Sequence, residues 1–299
     1  MYDIIGDIHA DYNRLKAILV KLGFLCSHKG WHHPDGRKAI FVGDLIDSGT
    51  DNYLVYRIVR EMVESGNALC VMGNHEFNSI LFHNYDSNGN PLREHSDKNI
   101  KQHQSFLTEA PLGSEKSYEM VDWFMTLPLF LDLDEFRVVH AYWHQESILN
   151  LKNSTGNILT RDTLLNASDD DDFYRVSIDI ILNGMEIDLP PGSFFMDTYN
   201  VKRERFRFKW WGDKTDNLYD VMLSVFDKSN IENVKISSLL SQKGYSDEDK
   251  PVFVGHYKLE NKPKIEQSNV LCLDYPKIPV AYRFNSGDRF IKAENIVLV

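Results

Sequence analysis

Five apolar runs along this chain end on the same small set of polar residues. They are YDIIGDIH (Asp7, His9), AIFVGDLID (Asp44, Asp47), CVMGNHE (Asn74, His75), RVVHA (His140) and VFVGH (His256). A short apolar run closed by Gly-Asp or Gly-Asn reads as a buried strand, and such a strand delivers its last side chains to the C-terminal edge of its sheet. One Gly-Asp would mean only a turn, since both residues are common there. Five strand ends converging on Asp, His and Asn restrict the chain to a fold that gathers them in one place.

The segments between these runs supply the connections. Residues 11–22 place Leu15, Ile18, Leu19 and Leu22 at helical spacing, and residues 52–64 do the same with Leu54, Val55, Ile58, Val59, Met62 and Val63. The resulting β-α-β-α-β order predicts a parallel sheet with right-handed crossovers. A hairpin (129–133 with 136–140) leads into HAYWH, and the strands of residues 251–299 are expected to build a second sheet on the first. The whole chain, 1–299, reads as one α/β domain with insertions at about 84–118 and 150–200, the first cap-like. His28, His32 and His33 read as surface-loop residues. His83, His95 and His103 read as solvated side chains of the first insertion. The acidic run 169–172 lacks the spacing of a calcium loop.

Asp, His and Asn together form the donor set of a two-metal site of hard oxygen and imidazole ligands. Asp44 on the central strand is the expected bridging ligand, with Asp7 and His9 completing one position and Asn74, His140 and His256 the other. His75 follows a ligand on a tight turn, so it is expected to act as general acid with Asp47 orienting its imidazole. The alternating segment VKRERFRFKWW reads as a strand with one basic face, whose Arg203, Arg205 and Arg207 are candidate phosphate contacts.

In order, GDIH, GDLID, GNHE, HA and GH resemble the calcineurin-like metallophosphoesterases, and GNHE points to their PPP-type branch. DGRKAIFVGDLID, WWGDK, VFVGHYKLENKP and NVLCLDY are similar to short bacterial phosphatases of the PrpE kind and to the phosphatase module of bacterial polynucleotide kinase-phosphatase. The resemblance implies a four-layer α/β/β/α sandwich and two divalent ions, manganese first, with iron, zinc, nickel or magnesium as alternatives. Four departures from the family pattern stand out: Ala10 replaces a glycine, Ser48 and Met72 each replace an arginine, and the pair Tyr142-Trp143 replaces small residues. The arginine absent at Ser48 would hold the substrate phosphate. One of Arg203, Arg205 or Arg207 is expected to supply that contact, and Tyr142 to line the substrate pocket.

The expected function is a metal-dependent phosphomonoesterase in which a metal-bridging hydroxide attacks phosphorus. The alternative is a hydrolase of dinucleoside polyphosphates or nucleic-acid ends, with Tyr142, Trp143, Trp210 or Trp211 against a base. A non-catalytic scaffold is the third reading. The partner is a phosphorylated small molecule, nucleotide or phosphoprotein. A net charge of -11 argues against a broad nucleic-acid or membrane-binding face. Three widely spaced cysteines (Cys26, Cys70, Cys272) read as reduced core residues. With no apolar leader at the N-terminus, they lead us to expect a cytoplasmic protein without a membrane span.

Overall fold

The computed structural model describes all residues except 29, 155, 170–171, 197–200, 213–214, 224, 226, 239–244 and 261. Asp213 and Lys214 of the WWGDK motif and part of the acidic run therefore lie outside the described residues.

Strand β1 (Tyr2–Ile5) leads to helix α1 (Tyr12–Leu22), β2 (Lys38–Phe41), α2 (Asn52–Glu64), β3 (Ala68–Cys70) and α3 (Asn74–His83). β1 pairs parallel to β2 and β2 parallel to β3, as the crossover pattern predicts. Asp11 caps α1 by accepting from the Arg14 amide, and Gly23 closes it in a left-handed conformation (φ 95°). Leu15, Ile18, Leu19 and Leu22 are the buried face of α1.

The insertion after α3 folds into two short helices, α4 (Asp97–Gln102) and α5 (Gln104–Glu109), and α6 (Glu115–Phe124) follows. The hairpin is β4 (Phe130–Asp132) with β5 (Arg137–Val139). Beyond it come α7 (Gln145–Ser154) and α8 (Phe173–Asn183). The basic stretch is broken in two. Lys202–Arg203 pairs in one small sheet, and β6 (Arg205–Phe208) lies between Glu186–Asp188 and Met222–Leu223 in another.

The closing strands do not form one sheet of their own. β7 (Val252–Val254) and β8 (Val270–Cys272) join the hairpin in the order β8-β7-β5-β4, whereas β9 (Val280–Phe284) and β10 (Ile296–Leu298) return to the first sheet, giving β10-β9-β1-β2-β3. Ile4, Ile40 and Tyr282 of the first sheet share one buried apolar cluster with Val138, Phe253 and Leu271 of the second. Their neighbours on the opposite faces, such as Ile5, Phe41, Val139 and Val254, pack into a second cluster with residues of α1, α2, α7 and α8. Alternation along each strand thus sends successive side chains into different clusters.

Candidate metal centre

The motif residues meet where β1, β2, β3, β5 and β7 end. The meeting requires tight backbone: a Cβ on Gly73 would stand 2.3 Å from both the Asp44 amide nitrogen and its carboxylate. Among the described residues, the non-glycine positions with positive φ are His9, Ala10, Asp44, Asp47, Ser48, His256 and Lys258, all in three motif loops. Left-handed backbone costs a non-glycine residue energy and persists where its surroundings enforce it. Part of that enforcement comes from Glu76, which accepts from the Asp44 and Gly73 amides (2.9 Å each) and from the Leu45 amide (2.8 Å).

Asp44 is buried at the centre. Its oxygens lie 3.3 Å from His140 Nε2, 3.8 Å from His75 Nε2 and 3.9 Å from His9 Nε2, and one accepts the His75 amide at 3.0 Å. His140 Nδ1 donates to the Val42 carbonyl (2.8 Å), which turns Nε2 towards Asp44 and towards Asn74 Oδ1 at 3.0 Å. His256 Nδ1 meets the same Asn74 oxygen at 3.0 Å, and the His256 amide donates to Asp7. All six expected ligands therefore come together. Asp274, just past β8, joins Asp7 and His9 in a third potential ligand group, and the sequence reading missed it. Its signal was present in NVLCLDY, a further apolar run ending in aspartate.

These groups are buried without completing one another's valences. Asp7 Oδ1, both ring nitrogens of His9 and His256 Nε2 have no hydrogen-bond partner. Gly255 leaves the space in which Asp7 Oδ1 sits, since a Cβ there would stand 2.0 Å from that oxygen. Burial, then Asp274, pushes the Asp7 carboxyl well above its usual range. Burial lowers His9 to about 4 and holds His256 well below the ordinary histidine value, where Arg207 adds to the effect. Burial opposes ionisation of Asp44, yet His140 and then His75 pull it well below its usual range, and Asp44 reciprocally raises His140 to about 10. Orphaned lone pairs on carboxylate and imidazole are costly unless a cation uses them. The donor set fits divalent metal.

His75 stands beside this group, close enough to His9 and Asp44 to form a further potential ligand group with them. Its Nδ1 meets Asp47 Oδ2 at 2.8 Å, leaving Nε2 on the Asp44 side. Burial alone would lower His75, but Asp44 and then the Asp47 hydrogen bond raise it.

Several expectations need correction. His83 and His103 are buried, not solvated, and His103 Nδ1 meets Asp47 Oδ1 at 2.9 Å. His95 stacks on Phe82 with ring centroids 3.9 Å apart. His32 ends a strand (Gly30–His32) and is half-buried, as is His33, which contacts the Leu22 carbonyl. Cys26 is exposed, while Cys70 and Cys272 are buried. Arg203 and Arg205 are exposed, with Arg205 ion-paired to Asp188, whereas Arg207 is half-buried and its Nε has no partner. Tyr142, Trp143, Trp210 and Trp211 are all buried, and Tyr142 stacks on Trp210 at 4.7 Å, so that ring face is already covered.

The family model described as calcineurin-like phosphoesterase matches residues 2–264. Among curated relatives, the protein of Halalkalibacterium halodurans named bis(5'-nucleosyl)-tetraphosphatase PrpE [asymmetrical] is 45% identical over 74 residues, 25% of this chain and 30% of that protein. The Bacillus cereus protein of the same name is 32% identical over 154 residues, 49% of this chain and 59% of that protein. The chain thus spans less than two thirds of the curated relatives it matches. A cold-active protein-tyrosine phosphatase of a psychrophilic Shewanella shares the fold, with TM-score 0.50 and 13% identity over 95% of this chain and 75% of that one. Among the described residues, no helix is long and apolar enough to cross a membrane.

Proposed function

Given that this chain belongs to the calcineurin-like phosphoesterase family, we propose that it is a metal-dependent hydrolase whose substrate is a dinucleoside polyphosphate. The observation that carries the hydrolytic reading is the set of buried, unpartnered donors on Asp7, His9 and His256 beside an acid pair, His75 and Asp47. Asp7, His9, Asp44, Asn74, His140 and His256 would hold two divalent cations, manganese the first to test. When bound, such ions neutralise phosphate charge and make water acidic enough to attack at neutral pH. His75 donates from Nε2 to the leaving oxygen, and Asp47 fixes its ring and favours the protonated form.

Arg207 is the residue we assign to the phosphate contact expected at Ser48. In support, its Nε is buried without a partner and its charge is felt at His256. A guanidinium so placed can bind a phosphate through paired N–H groups. The name of the relatives, bis(5'-nucleosyl)-tetraphosphatase, supports a dinucleoside polyphosphate as substrate over the phosphomonoester. A cavity of about 760 Å³ lined by Arg137, Tyr142, Trp143 and Tyr245, though by none of the six proposed ligands, is of a size suited to a nucleoside.

The test compares turnover of diadenosine tetraphosphate, p-nitrophenyl phosphate and a phosphopeptide with added manganese, for the wild type and Arg207→Ala. The expected result is preference for the dinucleotide, with the substitution raising KM about tenfold or more. Preference for p-nitrophenyl phosphate would return the substrate to a monoester. No turnover of any of them with metal bound would favour a scaffold.

A further inference from the structure

We propose that His103, carried by the insertion between α3 and α6, is a positioning residue that holds the second oxygen of Asp47 and thereby aims His75. The inference rests on the acid role given to His75 above. Asp47 is buried and shares its carboxylate between two imidazoles, Oδ2 with His75 Nδ1 at 2.8 Å and Oδ1 with His103 Nδ1 at 2.9 Å. The Asp47 backbone is already fixed, by its left-handed φ of 64° and by its amide donating to Asn52 Oδ1 at 2.8 Å. Its carboxylate is not fixed by that, because the terminal torsion of an aspartate is soft. A hydrogen bond to His75 alone would let the two groups swing together. The second imidazole removes that freedom.

His103 is itself clamped. Its ring stacks on Phe106 (centroids 4.4 Å apart, planes at 16°) and meets Phe82 edge-on. Its Nε2 faces His83 Nε2 at 3.2 Å, a hydrogen bond in which one ring donates and the other accepts. His75 lies on the first turn of α3 and His83 at its last residue, so one helix carries both the acid and the far support of its buttress. Asp47 accepts from both rings, so both Nδ1 atoms are protonated. The two Nε2 atoms then differ: that of His75 lies on the Asp44 side, and that of His103 is occupied by His83. His103 orients and does not transfer a proton to substrate.

The test has two arms. In the first, His103→Phe keeps the aromatic stack and removes the donor, while His103→Asn keeps an N–H near the Nδ1 position. Both are assayed with manganese on diadenosine tetraphosphate and p-nitrophenyl phosphate beside His75→Asn, with metal content and urea midpoint confirming intact protein. We expect His103→Phe to lower kcat by about 10- to 100-fold with KM within about twofold, and His103→Asn to recover to within about fivefold of wild type. Wild-type kcat in His103→Phe, equal loss in both variants, or loss confined to KM overturns the inference. If His75→Asn is impaired and His103→Phe is not, this inference falls alone; if His75→Asn is unimpaired, the acid reading falls and takes this one with it. The second arm needs no variant: a nitrogen-15 spectrum of the wild-type histidines should show His103 protonated at Nδ1. A ring protonated only at Nε2 overturns the proposal.

Discussion

Strand β1 carries a buried carboxylate near each end, and the two are treated in opposite ways. Asp3 is fully compensated: the Arg37 guanidinium grips it from Nε and Nη2 at 2.8–3.1 Å, and Arg283 adds a contact at 3.2 Å. Arg37 spends its remaining donors on the Tyr2 and Phe284 carbonyls and on Asn285. Asp7, four residues on, accepts one amide from His256 and has an oxygen with no partner at all. The fold can neutralise a buried carboxylate and does so at Asp3. Its failure to do so at Asp7 marks a site where compensation is left to a ligand. Asp3 is held by its own chain, and the unpartnered oxygen of Asp7 fits the metal-ligand role proposed for it.

The strongest way to break this comparison is to disarm the centre of the functional end. Asp44→Asn should lower turnover at least ~10³-fold and cut manganese content, because it removes the carboxylate shared by two of the three potential ligand groups. In metal-free protein the substitution should also lower the urea midpoint, because the Asp44 charge compensates the buried His140 and His75 rings. Retained metal and turnover would show that Asp44 is a structural carboxylate like Asp3.

The structural end should respond in the reverse manner. Arg37→Met leaves Asp3 buried and poorly compensated, a change that costs about 3–5 kcal/mol. Urea titration should show that loss, while KM and metal content of the folded fraction stay at wild-type values. A cost below ~1 kcal/mol would mean that Arg283 and solvent suffice at Asp3, and the contrast between the two ends would weaken.

How much of this was legible in the sequence follows from which contacts are local. The convergence of the six proposed ligands could be read because each stands at or just past the end of an apolar run, so its position follows from its own strand. His103 could not, because its partner Asp47 lies 56 residues away, and nothing in the insertion's pattern marks a histidine that faces inward. The allocation of the closing strands was equally hidden. VFVGH and IPVAYRF look alike as strands, yet one pairs in each sheet, and pairing is decided by packing across the whole core. Arg203 lies on a strand of its own, and Arg207 was separable from Arg205, its neighbour on β6, only by burial, since Arg205 is exposed and paired to Asp188.

The last residue of α3 supplies an intermediate case between the two ends of β1. His83 is buried with Nδ1 unpartnered, and burial, then His103 and His95, lower it to about 4. Between its unfolded value near 6.5 and about 4, the unfolded chain binds a proton that the folded chain refuses. Stability is therefore full above the unfolded value and falls as pH drops through that window. Urea midpoints at pH 7.5 and 5 should show His83→Gln losing less than wild type by ~2 kcal/mol. An identical acid loss in both proteins would mean that His83 does not carry it.

The smallest effect is the most discriminating, because its sign should depend on metal. In metal-free protein Asp7 is an uncompensated buried carboxylate, so Asp7→Asn, which keeps the shape and removes the charge, should raise stability by ~1 kcal/mol. With manganese the wild type gains the linkage energy of binding, about 2.7 kcal/mol at a hundredfold excess over Kd. The variant, lacking a ligand, gains less. The two urea midpoints should therefore cross between chelator and manganese. No crossing can arise at Asp3, where the compensating charges are covalently part of the chain. If Asp7→Asn is destabilising with and without metal, the unpartnered oxygen of Asp7 is a structural feature, and the two ends of β1 are alike.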